Sequence, residues 1–281
     1  MIVSVVSAAL NSYVLKKSNI KTKKEVFGFN FIGSFIWLIL LLTATGGFSH
    51  MNPKTWIWGC FYGLIQALFI LFKTVAMQTG AISVTTLIGN SSLLISVLVS
   101  LLVWKEPIGG WDIFGLFLLG ISIFCCTYKN TTTKNEPSWK IYVIFFLVFA
   151  SAVGLVFKAF GKSEVSQSIN DMMVVSAMCM LLFFAVAYLV SRDETEYRTS
   201  KPTKTFFVTA VASGILSCLY NRLNIYLSAK LPAVIFFPFF NGSVILLSTL
   251  AGMYLCKEKL TKRQFLGIFL GIASICIIGI L

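Results

Sequence analysis

Ten apolar blocks, separated by polar connectors, dominate the sequence. They cover residues 1–15, 27–47, 55–78, 81–103, 109–128, 139–157, 170–190, 204–228, 231–256 and 264–281. A helix needs about 20 apolar residues to cross a bilayer, and every block but the first comes close to that length. A cleaved signal peptide is the competing interpretation of block 1–15, but the block lacks a basic start and is followed by Lys16 and Lys17. The pattern predicts an all-α membrane protein with ten transmembrane helices.

Composition supports lipid as the main solvent and partner of the chain. Apolar residues make up 57% and charged residues 12% of it, against about 45–50% and about 25% in soluble domains. A soluble fold of this length cannot hide that much apolar surface. The net charge of +13 does not indicate nucleic acid as a partner, because the basic residues lie in short connectors between apolar blocks.

The two halves of the chain repeat each other. A shift of 152 residues superimposes 105–124 on 257–276 with seven identities, and Asn90 nearly matches Asn241. We therefore predict a first repeat over 1–130 and a second over 139–281, with 131–138 as a linker. Each repeat holds five helices, and an odd number of spans places the repeats in opposite orientations, which predicts two inverted five-helix repeats.

Each half also carries the same short motif where one apolar block gives way to the next. It reads Trp104-Lys105-Glu106-Pro107…Gly115…Gly120 in the first half and Cys256-Lys257-Glu258-Lys259…Gly267…Gly271 in the second. This pattern resembles the EamA branch of the drug/metabolite transporter superfamily over essentially the whole chain. The resemblance implies a secondary transporter whose central cavity is lined mainly by helices three, four, eight and nine. We expect Glu106 and Glu258 to pair with the neighbouring lysines at the helix ends.

The distribution of basic residues predicts the orientation. Connectors with odd numbers carry sixteen Lys and Arg residues, and connectors with even numbers carry five. Because positive charge is retained in the cytoplasm, we expect the odd connectors inside and both termini outside the plasma membrane.

Polar residues within the blocks are the candidates for a binding site, because they are costly in lipid. The eighth block repeats them at helical spacing, which places them on one face: Ser213, Ser217, Asn221, Asn224 and Ser228. This face either lines a cavity or hydrogen-bonds to another helix.

The third block has a comparable face, formed by Tyr62, Gln66, Phe69 and Lys73. Aromatic and amide groups on one wall suit a small polar metabolite. Lys73 and Arg222 are the only cations predicted within spanning helices, and they serve either as gates for substrate or as side chains that snorkel to the interface. The substrate-binding candidates are Tyr62, Gln66, Lys73, Asn90, Asn221, Arg222, Asn224 and Asn241.

The sequence favours a carrier over an enzyme. No carboxylate lies deep in any block, so an inward-facing Lys73 would attract an anionic or zwitterionic small-molecule substrate. An exporter of amino acids or amphipathic drugs is the alternative, since the chain holds 26 Phe, 9 Tyr and 6 Trp. No catalytic cluster, metal-type cysteine spacing or cofactor motif is visible. Gly267-x-x-x-Gly271 fits either helix packing or a homodimer, and both remain open.

Overall fold

Ten α-helices make up most of the part of the chain that the computed structural model describes. That part comprises residues 1–18, 20, 22–45, 52–92, 95, 99, 102–103, 109–127, 138–161, 163–191, 203–230 and 233–280. The helices are α1 Ile2–Lys17, α2 Lys23–Thr45, α3 Pro53–Thr79, α4 Ile82–Asn90, α5 Gly110–Thr127, α6 Trp139–Gly161, α7 Ile169–Val190, α8 Lys204–Lys230, α9 Ala233–Tyr254 and α10 Lys262–Ile280. A short 3-10 turn, Ser166–Ser168, leads into α7.

Each predicted apolar block corresponds to one of these helices. Five stretches are long and apolar enough to cross a membrane by length and composition: Lys23–Thr45, Pro53–Thr79, Trp139–Gly161, Ser166–Val190 and Lys204–Asn224. Shorter apolar helices cover Ile113–Cys125 and Phe240–Tyr254. The fourth block was predicted over 81–103. Its continuous described helix is Ile82–Asn90, a turn follows at Ser91, and residues 92, 95, 99 and 102–103 are again helical.

Much of the helix packing is unchanged when the two halves are exchanged. Helix α1 packs against α8 as α6 packs against α3, and α2 packs against α8 as α7 packs against α3. Further contacts pair equivalent helices, namely α2 with α7, α4 with α9 and α5 with α10, and α9 also packs against α1 and α10. This arrangement fits a fold built from two five-helix repeats.

At one end of the bundle, hydrogen bonds join the C-terminal ends of α1 and α3. The Lys16 ammonium donates to the carbonyls of Gln78 and Gly80, at 3.1 and 2.6 Å. In return, the Gln78 amide donates to the Leu15 carbonyl and to the Ser18 hydroxyl. These bonds use the carbonyls that a helix leaves unpaired in its last turn. Connectors one and three therefore lie at the same end.

The same end includes the connector between α9 and α10, through Glu258. This carboxylate accepts the Ile82 N–H at 2.6 Å, and it accepts the Ser83 N–H and hydroxyl at 3.4 and 2.9 Å. It thus caps the N-terminus of α4, where backbone N–H groups favour negative charge. The expected pairing of Glu258 with Lys257 was wrong, because Lys257 has a left-handed φ of 53° and the chain turns the carboxylate towards α4 instead. Glu106 lies outside the described residues.

Two contacts define the opposite end of the bundle. Lys54, in the first turn of α3, forms an ion pair of 2.5 Å with Glu164, which lies between α6 and α7. The Lys54 ammonium lowers the pKa of the Glu164 carboxyl below its usual value. Arg222 donates to the Ala44 carbonyl at 3.2 Å and so joins α8 to the last turn of α2. Lys54 and Glu164, together with the C-terminal parts of α2 and α8, thus lie away from Glu258.

Candidate functional site

Helix α3 carries a row of polar and aromatic side chains that the fold buries. Tyr62 and Gln66 are 2% exposed and Lys73 is 9% exposed. Gln66 stands at the midpoint of α3, which runs Pro53–Thr79. Its Oε1 has no hydrogen-bond partner among the described residues. The row predicted from sequence therefore faces the interior of the bundle rather than its outer surface.

Lys73 lies between two aromatic rings. Its ammonium is 6.0 Å from the ring centroid of Phe69 and 5.5 Å from that of Tyr220 on α8. Such contacts contribute about 0.5–2 kcal/mol, the larger values applying to desolvated cations. No carboxylate in the described part of the chain lies within ion-pairing distance of Lys73. The positive charge is therefore buried and compensated only in part.

The polar face of α8 has partners on α1. Asn11 is 2% exposed; it donates to the Ser217 hydroxyl at 3.1 Å and accepts from the Ser213 hydroxyl at 2.8 Å. Nearer the N-terminus of α1, the Ser4 hydroxyl donates to Asn224 Oδ1 at 2.5 Å. Of the two interpretations of this face, the described contacts favour interhelical hydrogen bonding for Ser213, Ser217 and Asn224.

Helices α3 and α8 occupy equivalent places in the two halves, and each is 27 residues long. Aligned end to end, Gln66 corresponds to Ser217, Phe69 to Tyr220 and Lys73 to Asn224. The helices that cover them differ, however. Helix α1 presents asparagine and serine to α8, whereas α6 presents phenylalanines to α3. Phe157 packs edge-on against Tyr62 at 4.8 Å, and Phe146 lies 5.5 Å from Phe69. Gln66 Oε1 is consequently left without a hydrogen-bond partner among the described residues, whereas Ser213, Ser217 and Asn224 of α8 have partners on α1.

The other predicted residues are more dispersed. Asn90 and Asn221 are half-buried, and each donates back to a carbonyl of its own helix, those of Thr86 and Ser217 respectively. Asn241 is half-buried, and no hydrogen bond of its side chain is seen within the described residues. Arg222 donates to the Ala44 carbonyl at the end of α2. The structure thus brings Tyr62, Gln66 and Lys73 onto one wall, with Tyr220 opposite.

Sequence reasoning missed three buried polar residues on α2, namely Asn30, Ser34 and Trp37, and also Asn11 on α1. All four are at most 5% exposed. The available signal was their spacing on α2, at intervals of four and three, which places the three residues on one helical face. The side-chain amides of Asn11 and Asn30 were a second signal, because an amide within an apolar block is costly in lipid unless it has a polar partner.

Three comparisons with known proteins bear on this arrangement. The profile of the EamA-like transporter family matches residues 1–128 and again residues 134–280. The comparison with curated proteins gave no match. Several solved structures match, and one of them, a crystal structure, superimposes with a TM-score of 0.65 at 13% sequence identity, over 99% of this chain and 95% of the other. At that identity the likeness concerns the fold alone.

Proposed function

The chain belongs to the EamA-like transporter family, and we propose that it carries a small anionic or zwitterionic metabolite across the plasma membrane by alternating access. Members of this family are transporters rather than enzymes, and the chain is a multi-pass membrane protein. The observation that carries the proposed substrate class is the buried Lys73 ammonium, held between Phe69 and Tyr220 without a carboxylate from the described residues.

A buried cation attracts a negative group because both would otherwise be poorly solvated. Lys73 lies seven residues from the midpoint of α3, or about 10 Å at 1.5 Å per residue. Near the middle of the molecule, Gln66 offers an acceptor without a partner. A solute with a carboxylate and a second polar group would satisfy both side chains. A permanent organic cation would be repelled.

Alternating access needs two halves that can rock against each other around a central site. We propose that these are inverted repeats over 1–130 and 139–281. The exchange-symmetric helix packing supports this division. Opposed orientation is supported by the ends of α1 and α6, the first helices of the two repeats. The C-terminus of α1 lies at the end of the bundle that contains Glu258 and the N-terminus of α4. The C-terminus of α6 lies at the opposite end, where Glu164 pairs with Lys54 of α3.

We place the end with Lys16 and Glu258 in the cytoplasm, as the excess of basic residues in odd connectors favours. Lys17 and Lys54 provide a matched pair of exposed lysines at opposite ends. In a variant without native cysteines, Lys54→Cys is expected to react with an impermeant thiol reagent on intact cells. Lys17→Cys should react only after permeabilisation. The reverse pattern would overturn the orientation and leave the fold intact.

A flux experiment in proteoliposomes tests the substrate class directly. The purified protein is expected to exchange radiolabelled carboxylates or neutral amino acids, supplied as mixed panels, at rates well above those of protein-free vesicles. Tetraethylammonium should neither be taken up nor compete. Selective transport of the cation would contradict the proposal. Uptake restricted to hydrophobic drugs would instead favour the amphipathic-drug exporter, whose basis in this structure is the aromatic wall of Tyr62, Phe69, Phe146 and Phe157.

A further inference from the structure

A face of α2 holds three buried polar groups that lack partners within the described part of the chain. These are Asn30 Nδ2, Ser34 Oγ and Trp37 Nε1, in residues that are 3%, 2% and 5% exposed. Burying a donor without a hydrogen bond is costly, and folded proteins rarely leave several such groups together. This row of unpaired donors on one helix therefore needs an explanation.

The register of α2 against α3 places Trp37 at about the same depth in the bundle as Gln66. The Thr74 hydroxyl donates to Asn30 Oδ1 at 3.0 Å, which fixes one point of contact. From there, Trp37 is seven residues along α2 and Gln66 is eight residues back along α3. At 1.5 Å per residue, the two side chains lie within about 2 Å of the same depth. Trp37 also belongs to the same packed cluster as Tyr62 and Ala67, the close neighbours of Gln66 on α3.

The second half of the molecule shows that the fold does not need these polar groups. When α2 and α7 are aligned at their first residues, Ser34 corresponds to Met180 and Trp37 to Phe183. Asn30 corresponds to Ser176, whose hydroxyl donates to a carbonyl of its own helix at 2.7 Å. The equivalent positions of α7 thus hold two apolar side chains of the core and one hydroxyl that is bonded within its own helix. Helix packing alone gives no reason for a donor row on α2.

We propose that Trp37, Ser34 and Gln66 form a subsite, near the middle of the bundle, for an uncharged hydrogen-bonding group of the transported solute. An amide is the best match, because its carbonyl accepts from the Trp37 indole or Ser34 hydroxyl while its N–H group donates to Gln66 Oε1. This inference rests on the proposed transport function and deepens it. Lys73 holds the anionic end of the solute, and the α2 side of the site selects the other end.

Two pairs of probes separate the subsite from the cation. L-glutamine and L-norleucine share a zwitterionic head, and glutaramate and hexanoate share a carboxylate, but only the first member of each pair ends in an amide. Wild-type protein in detergent is expected to bind each amide about tenfold more tightly than its apolar partner. A factor of about ten in Kd is what one hydrogen bond to a buried group contributes. Equal binding within both pairs, or no binding of either amide at millimolar concentration, would overturn the subsite.

Variants that remove single polar groups supply the second measurement. Trp37→Phe and Ser34→Ala are each expected to reduce the preference for the amides, and the double variant to abolish it. Ser34→Ala should leave the unliganded melting temperature unchanged or higher, since it deletes an unpaired group, whereas Trp37→Phe also leaves a small cavity in the core. Trp58→Phe, at a tryptophan that packs beside Phe160 on the edge of the same cluster, should retain the preference. A lower melting temperature with an unchanged amide preference in Trp37→Phe would show that the indole N–H is structural.

Lys73→Gln distinguishes this inference from the proposed function. It should weaken both members of each pair equally and so preserve their ratio. If Lys73→Gln binds all four probes normally while Trp37→Phe loses the amide preference, the assigned role of the cation fails and the subsite stands. The opposite result would leave the charge selectivity in place and remove the subsite.

Discussion

Replacing Lys73 with glutamine is expected to lower kcat/KM for carboxylate-bearing solutes at least tenfold while the protein still folds and reaches the membrane. Removing one partner of a buried, hydrogen-bonded charge pair costs on the order of 2 kcal/mol or more, which corresponds to a factor of at least ten. Stability should change little. The substitution gives up two cation–π contacts, at 6.0 and 5.5 Å, but it also relieves the cost of burying an unpaired cation.

Lys54→Gln is the matched control, because it removes a lysine from the same helix at an exposed position whose side chain is 65% accessible. Uptake of carboxylates should be close to wild type in this variant. Lys73→Arg should recover part of the lost activity, since it restores the charge. If Lys73→Gln transports carboxylates normally, or if its folded yield collapses while specific uptake per folded molecule is preserved, Lys73 serves the packing of α3 against α8 and not the substrate.

The sequence predicts the helices well because their signal is local. A block of about 20 apolar residues forms a helix in lipid wherever it lies in the fold, since a single span can satisfy its own backbone groups only as a helix. The faces of α3 and α8 were predictable for the same reason, as helical spacing alone places Gln66 with Lys73 and Ser213 with Ser217. The local pattern could not show which of these polar faces has hydrogen-bond partners. That depends on the helix that covers each face, which is α1 for α8 and α6 for α3.

Residues that act through distant contacts were predicted poorly. Arg222 is a cation in an apolar block by sequence, yet it binds the Ala44 carbonyl, 178 positions away. Trp37 and Ser34 are unremarkable members of an apolar block until their missing hydrogen bonds are seen. Glu258 was expected to pair with the adjacent Lys257, but its partners are 175 and 176 positions away. Each of these contacts depends on which side chain meets which group across the bundle, and a local pattern does not contain that information.

The carboxylate of Glu258 is expected to be the most important single side chain for the position of α4. Glu258→Ala should destabilise the protein by about 2–3 kcal/mol, because it removes three hydrogen bonds and the negative charge at a helix N-terminus. A lower melting temperature in detergent is the primary measurement. Transport should also fall, since α4 carries Asn90 and the buried Thr86 hydroxyl, which has no partner among the described residues, and its N-terminal position depends on this cap.

Gly252 allows the same contact to be broken without touching Glu258. A Cβ at this glycine would lie 2.4 Å from Glu258 Oε2 and 2.6 Å from Ser83 Oγ, so Gly252→Ala must displace the carboxylate or the hydroxyl. We expect Gly252→Ala to lower the melting temperature, as Glu258→Ala does. The loss of stability in the double variant should be smaller than the sum of the two single losses, because both changes disrupt one interaction.

Glu164→Ala is the control, because it removes an exposed carboxylate from the opposite end of the bundle. It should have little effect, since its ion pair lies in water. Additive losses in the double variant, or a Glu258→Ala protein as stable as Glu164→Ala, would show that α4 is positioned by its packing against α9 and not by this cap.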